Sequence, residues 1–228
     1  MLMDSNNNVL DTSKFSDFDE GSCAILYRYN NILMKSYKLE CKPANYFSKK
    51  TFDRLKQLNL DSIVKLYNYY YNDIELLLKF ILPPSVYTME YIYNPKIILL
   101  NQTSDYLLDI VSKLEKDVNI LSNNKIIMFD AHYSNIIFQE NKAKIIDIDL
   151  YRNAKFTSYK TILIHNKIQL LNYIVSTLRH ELEKQNYYNY KFENLFLFSL
   201  KNTNVTDYLN KILTEKMIGD SIISKIKK

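Results

Sequence analysis

The chain has 228 residues, 47% of them hydrophobic, and a formal net charge of +5. That length suits one two-part domain or two small ones, and its modest charge, on scattered lysines without a basic stripe, argues against nucleic-acid binding. Two cysteines, Cys23 and Cys41, with no CxxC pair make a disulfide framework or zinc site unexpected, and no apolar run reaches the ~18 residues of a membrane span.

The opening stretch MLMDSNNNVLDTSKFSD has neither a basic n-region nor an apolar h-region, so secretion is not indicated and a reducing cytosol is the default. Residues 1–14 are expected to be disordered. Ser16–Tyr29 reads as two strands around Gly21, and Asn30–Asn31 is a hairpin turn signal leading into Ile32–Lys38, ILMKSYK. Phe52, Leu55 and Leu58 have helical spacing. Val86–Ile92, VYTMEYI, reads as an aromatic-rich strand, followed by a seam near Tyr93–Pro95. From Tyr106, the positions Leu107, Ile110, Val111, Leu114, Val118 and Leu121 follow a 3.6-residue period. Ile136–Phe138 and Lys144–Ile146 read as short strands joined by a polar turn, Gln139–Ala143. A second long helix is predicted over Asn166–Glu183, with Ile168, Leu171, Val175, Leu178 and Leu182 on one face. Further helix is predicted at Val205–Leu213 and Ile218–Ile226.

The segment Ile126–Arg152, IIMFDAHYSNIIFQENKAKIIDIDLYR, concentrates the chemistry. It sets Asp130, Asn135 and Asp147 in an order that suits a Mg-ATP phosphotransferase. One carboxylate meets the acceptor hydroxyl, while a carboxamide oxygen and a second carboxylate hold the Mg²⁺ bridging the phosphates. The bare pattern D-x4-N-x11-D has little specificity. The strand–turn–strand context adds some, because a hairpin brings Asn135 and Asp147 near one another. The ordinary alternative is a surface hairpin bearing loop carboxylates.

This segment resembles the catalytic and metal loops of the protein-kinase-like superfamily, H-R-D-L-x-x-x-N followed by D-F-G. ILMKSYK is similar to the strand bearing the V-A-I-K lysine, and VYTMEYI to the strand ending in the interlobe hinge. The resemblance spans Phe15–Leu182 and is nearest to compact bacterial kinase-like proteins. It implies an α+β, bilobal protein-kinase-like fold: an N-lobe over residues 15–92, with a small antiparallel sheet and one helix, and a mainly helical C-lobe over residues 93–228. It implies ATP and Mg²⁺ as cofactors and a hydroxyl-bearing acceptor, protein or small molecule, as partner. By the same resemblance the Glu90 carbonyl and Ile92 amide read adenine, Lys35 meets the phosphates, and Gly21 stands in the phosphate loop. Asn135 and Asp147 hold the metal, and Asp130 is the catalytic base.

Departures from the pattern matter as much. The Gly-rich loop is reduced to Gly21, in a chain with two glycines in all. A gap-free match puts Thr51 where a helix glutamate pairs with the lysine, with Asp53 or Glu40 as substitutes. Met128 and Phe129 replace the His and Arg of H-R-D, so no phosphorylated activation loop is expected to dock there. His132 matches the H-x-D-x-H-x-x-N loops of aminoglycoside and choline kinase relatives, where it is a structural hydrogen-bonder. Asp149 is expected to cap the next turn, with metal contact as the alternative. The short segment before the second long helix and the lack of A-P-E argue against an ordinary protein Ser/Thr kinase. Three other readings remain: a pseudokinase used as a binding module, transfer of AMP to a hydroxyl, and a helical adaptor without a nucleotide site.

Overall fold

The first unit is built on a five-stranded antiparallel sheet with strand order β1-β2-β3-β5-β4. Its strands are β1 (Ser16–Glu20), β2 (Ala24–Tyr29), β3 (Ile32–Tyr37), β4 (Leu66–Tyr70) and β5 (Val86–Glu90). This computed structural model describes residues 2–4, 6–38, 47–71, 86–93, 97–99, 102 and 104–184. Outside them lie Glu40, Cys41, the Asn94–Pro95 part of the expected seam, and the helices expected at Val205–Leu213 and Ile218–Ile226. Asn30 turns the β2–β3 hairpin at φ 51°, a left-handed conformation that asparagine tolerates, and pairing resumes at once with Tyr29 opposite Ile32.

Helix α1 (Lys49–Leu58) is closed at both ends by its own sequence. Ser48 Oγ accepts from the Thr51 amide at 3.3 Å, and Asn59, left-handed at φ 45°, donates its amide to the Leu55 carbonyl. The helix buries Thr51, Phe52 and Leu55. Phe52 meets the Tyr69 ring edge to face at 4.6 Å and packs within 6 Å of Phe47 and Tyr87.

Where it is described, the amino-terminal segment lies against the sheet. Leu2, Leu10 and Phe15 pack with Tyr27 against the buried Met34, Tyr70 and Val86. Met3 exchanges backbone hydrogen bonds with Tyr71 at 2.9 and 2.8 Å. Asp4 Oδ1 accepts from the amides of Asn6 and Asn8, which closes the loop back to the sheet. Asn6 and Asn8 belong to a polar run that looks like solvated coil, but here their amides cap a carboxylate and the apolar Leu2 and Leu10 on either side cover the sheet.

Contacts divide the chain into two compact units, Met1–Asn94 with Ile148–Asn153, and Pro95–Asp147 with Ala154–Lys228. The second contains helices α2 (Ser104–Asn123) and α3 (Tyr159–Lys184) and an antiparallel hairpin of Ile136–Gln139 with Lys142–Ile145. The hairpin turn is tighter than expected, with Gln139 directly paired to Lys142. Helix α2 buries Ile110, Val111, Leu114, Val118 and Leu121, as its period predicts. Helix α3 starts earlier than Asn166, because Ser158 Oγ caps the Thr161 amide at 3.1 Å and no breaker intervenes. Its most buried stripe runs through Ile162, Asn166, Leu170, Tyr173 and Ile174. The predicted Ile168 and Val175 are only half-buried, because a buried asparagine belongs to the stripe and an apolar count passes over it. Among the described residues, no helix is long and apolar enough to cross a membrane.

Candidate functional site

In the second unit, the Asp130 loop is built by the residues on either side of it. Asp130 has φ 58°, in the left-handed region that favours Gly, Asn and Asp. The following single turn, Tyr133–Asn135, starts at His132, whose Nδ1 accepts weakly from the Ser134 amide at 3.4 Å. That turn buries Asn135 and aims it back at the loop. Its Nδ2 donates to the Asp130 carbonyl at 2.9 Å and to Asp130 Oδ2 at 3.0 Å, and its Oδ1 accepts from Ser134 Oγ at 3.1 Å. The hairpin then returns the chain to this point: the Ile146 amide donates to the Asn135 carbonyl at 2.9 Å, and Asp147 is the next residue.

Helix α3 holds the loop from behind. Asn166 Oδ1 accepts from the Met128 amide at 2.8 Å, while its Nδ2 donates to Ser122 Oγ at 3.0 Å and the Ile126 carbonyl at 2.9 Å. His165 Nε2 lies 2.7 Å from the Met128 carbonyl, and Gln169 Oε1 accepts from the Ala131 amide at 3.2 Å. The backbone is thus tied on both sides of Asp130 by one stretch of α3. Sequence reasoning missed these three positioning side chains. The available signal was a polar residue, Asn166, in the core stripe of an otherwise apolar helix face.

The first unit carries a separate group of residues. Lys35 lies on β3 directly opposite Tyr87 on β5, so both side chains leave the same sheet face. Lys35 is 8% exposed, and its Nζ is 2.8 Å from Asp149 Oδ2. The Tyr87 hydroxyl donates to Asp149 Oδ1 at 2.5 Å. The Asp149 carboxylate, expected from the sequence to cap the next turn, is buried between a cation and a phenol. Arg152 Nη1 donates to the Asp149 carbonyl at 2.5 Å and to the Tyr151 carbonyl at 2.9 Å. Burial pulls the Arg152 guanidinium below its usual pKa, with Tyr37 and Asp149 working against that shift.

The substitutes considered on α1 do not serve Lys35. The Thr51 hydroxyl is 2.8 Å from Ser48 Oγ, and Asp53 pairs with Lys49 at 2.9 Å on the exposed side. Gly21 closes the β1–β2 turn, with its amide donating to the Ala24 carbonyl at 2.8 Å. Its φ is not positive and an added Cβ would make only an ordinary 3.6 Å contact, so the turn itself does not demand glycine. Glu90 ends β5; its amide donates to the Lys65 carbonyl at 2.8 Å and its Oε2 accepts from the Lys65 amide at 3.3 Å. Tyr91 donates its amide to the Asn31 carbonyl at 2.9 Å, and the Ile92 side chain is buried.

No protein-family model matches this chain, and no curated protein matches it in sequence. Among solved structures it is similar to one described as Legionella pneumophila Lpg2603 kinase bound to IP6. The identity is 14%, with 88% of this chain and 72% of that chain covered, and the TM-score is 0.47.

Proposed function

We propose that this protein is a phosphotransferase of protein-kinase-like type that moves the γ-phosphoryl of Mg-ATP to a hydroxyl acceptor. The observation that carries this reading is the Asp130–Asn135 unit: a left-handed aspartate, tied by the carboxamide of a buried asparagine, with Asp147 returned beside that asparagine by the hairpin. In this reading Asp130 orients the acceptor hydroxyl and takes its proton late in the transfer. Lys35 meets the phosphates, the Glu90 carbonyl and Ile92 amide read the adenine edge, and the Gly21 turn lies at the phosphates. Positioning and electrostatics supply most of the acceleration.

Asn135 Oδ1 and the Asp147 carboxylate would hold Mg²⁺. Both are hard oxygen donors, as this cation requires. Among the described residues no cluster of three or more His, Cys, Asp or Glu forms a metal cage. Two protein oxygens suit a Mg²⁺ that arrives with nucleotide phosphates and keeps its waters. The bound cation would neutralise charge on the phosphate oxygens.

The test is a thermal-shift titration with ATP, with and without Mg²⁺, on the wild type and on Asp147→Asn. Saturating Mg-ATP is expected to raise the midpoint by roughly 5–10 °C, with the Mg²⁺-dependent part lost in the variant. No rise at millimolar Mg-ATP would overturn the reading. Transfer of AMP in place of phosphate would appear on an acceptor as about 329 Da rather than about 80 Da.

A further inference from the structure

We propose that Asp149, anchored by Tyr87, is the positioning carboxylate of Lys35 and stands in for the missing helix glutamate. The inference rests on the phosphotransferase reading, in which Lys35 meets the nucleotide phosphates.

A lysine that must present its ammonium at one point needs a counter-charge. Its long stem loses rotamer freedom, and burial of the ammonium without a partner is costly. Helix α1 offers no such partner, because its one acid, Asp53, is engaged by Lys49. Asp149 provides the counter-charge at 2.8 Å, and both of its oxygens are assigned: Oδ2 to Lys35 and Oδ1 to the Tyr87 hydroxyl. The phenol cannot swing away easily. Its ring is 1% exposed and packs against Tyr37, Phe47 and Phe52 at 5.6–6.2 Å. On the backbone side, Arg152 ties the Asp149 carbonyl, and the Tyr151 amide donates to the Ile148 carbonyl at 3.0 Å to close the turn. An ammonium carries three donors, and the bond to Asp149 Oδ2 uses one of them.

The arrangement moves control of the lysine from a helix to the stretch that follows Asp147. Tyr87 and Asp149 act on the nucleotide through Lys35. Their loss should therefore weaken ATP binding by the same factor whether or not Mg²⁺ is present. A metal ligand would instead matter only in the presence of Mg²⁺.

The experiment is calorimetric titration of ATP into the full chain, in Mg²⁺ and in EDTA, for wild type, Tyr87→Phe, Asp149→Asn and Asp53→Ala. Tyr87→Phe is expected to weaken ATP by about three- to tenfold in both conditions. Asp149→Asn should weaken it more, and Asp53→Ala should leave it unchanged. Wild-type affinity in both Tyr87→Phe and Asp149→Asn would overturn the inference and leave the phosphotransferase reading standing. A loss confined to the Mg²⁺ titration would overturn it in favour of Asp149 as a metal ligand. Absence of ATP binding by the wild type would remove both. Should Asp149→Asn fail to fold, Tyr87→Phe decides alone, because it deletes one oxygen and keeps the ring packing.

Discussion

The carboxamide of Asn135 donates to both the backbone carbonyl and the carboxylate of Asp130, at 2.9 and 3.0 Å. One side chain thereby holds a left-handed residue in its conformation and aims its acid group. In the proposed reaction, this separates what the backbone at position 130 requires from what proton transfer there would require.

Asp130→Asn tests the chemistry. Asparagine tolerates the left-handed backbone, so the fold and Mg-ATP binding should be unchanged. ATP turnover should fall by at least about 100-fold, because an amide cannot accept the acceptor's proton. Asp130→Ala should in addition lose about 1 kcal/mol of stability, because alanine pays for positive φ. Turnover of Asp130→Asn at the wild-type rate would remove Asp130 from the reaction.

Asn166→Ala tests the support behind the loop. Asn166 is fully buried and makes three hydrogen bonds, to Met128, Ser122 and Ile126. Truncation leaves buried donors and acceptors unpaired, at a cost of about 3 kcal/mol. Differential scanning calorimetry should show a midpoint lowered by roughly 6–12 °C. A midpoint within a degree of wild type would mean that water or relaxation replaces the asparagine.

Tyr106 gives the fold an alkaline limit. Its hydroxyl donates to the Gln139 carbonyl at 2.6 Å, and burial, reinforced by Asp109 and Glu181, pushes the phenol from 10.0 up to about 12. The folded chain therefore keeps this proton at pH values where the unfolded chain has released it. The stabilisation is complete below pH 10 and is lost as the pH rises from 10 towards 12. Urea unfolding of Tyr106→Phe should lose stability less steeply over that window than the wild type does. Equal slopes would show that this phenol does not sense folding.

Elements whose signals are local can be read directly from the order of residues. Asn30–Asn31 marked a tight hairpin because asparagine tolerates positive φ, and the apolar period from Leu107 to Leu121 marked a helix because one face must be buried. The spacing of Asp130, Asn135 and Asp147 likewise announced a loop and hairpin that bring polar groups together, since a short strand pair closes on itself. Tertiary structure alone decided the partners that lie far along the chain. Lys35 found Asp149 rather than an acid on α1, Asn166 took a core position to tie down Met128, and Leu2, Leu10 and Phe15 packed onto the sheet. Composition and periodicity report which face a residue prefers. They do not report which buried charge or amide will meet it, because that depends on long-range packing and on the cost of leaving a buried polar group unpaired.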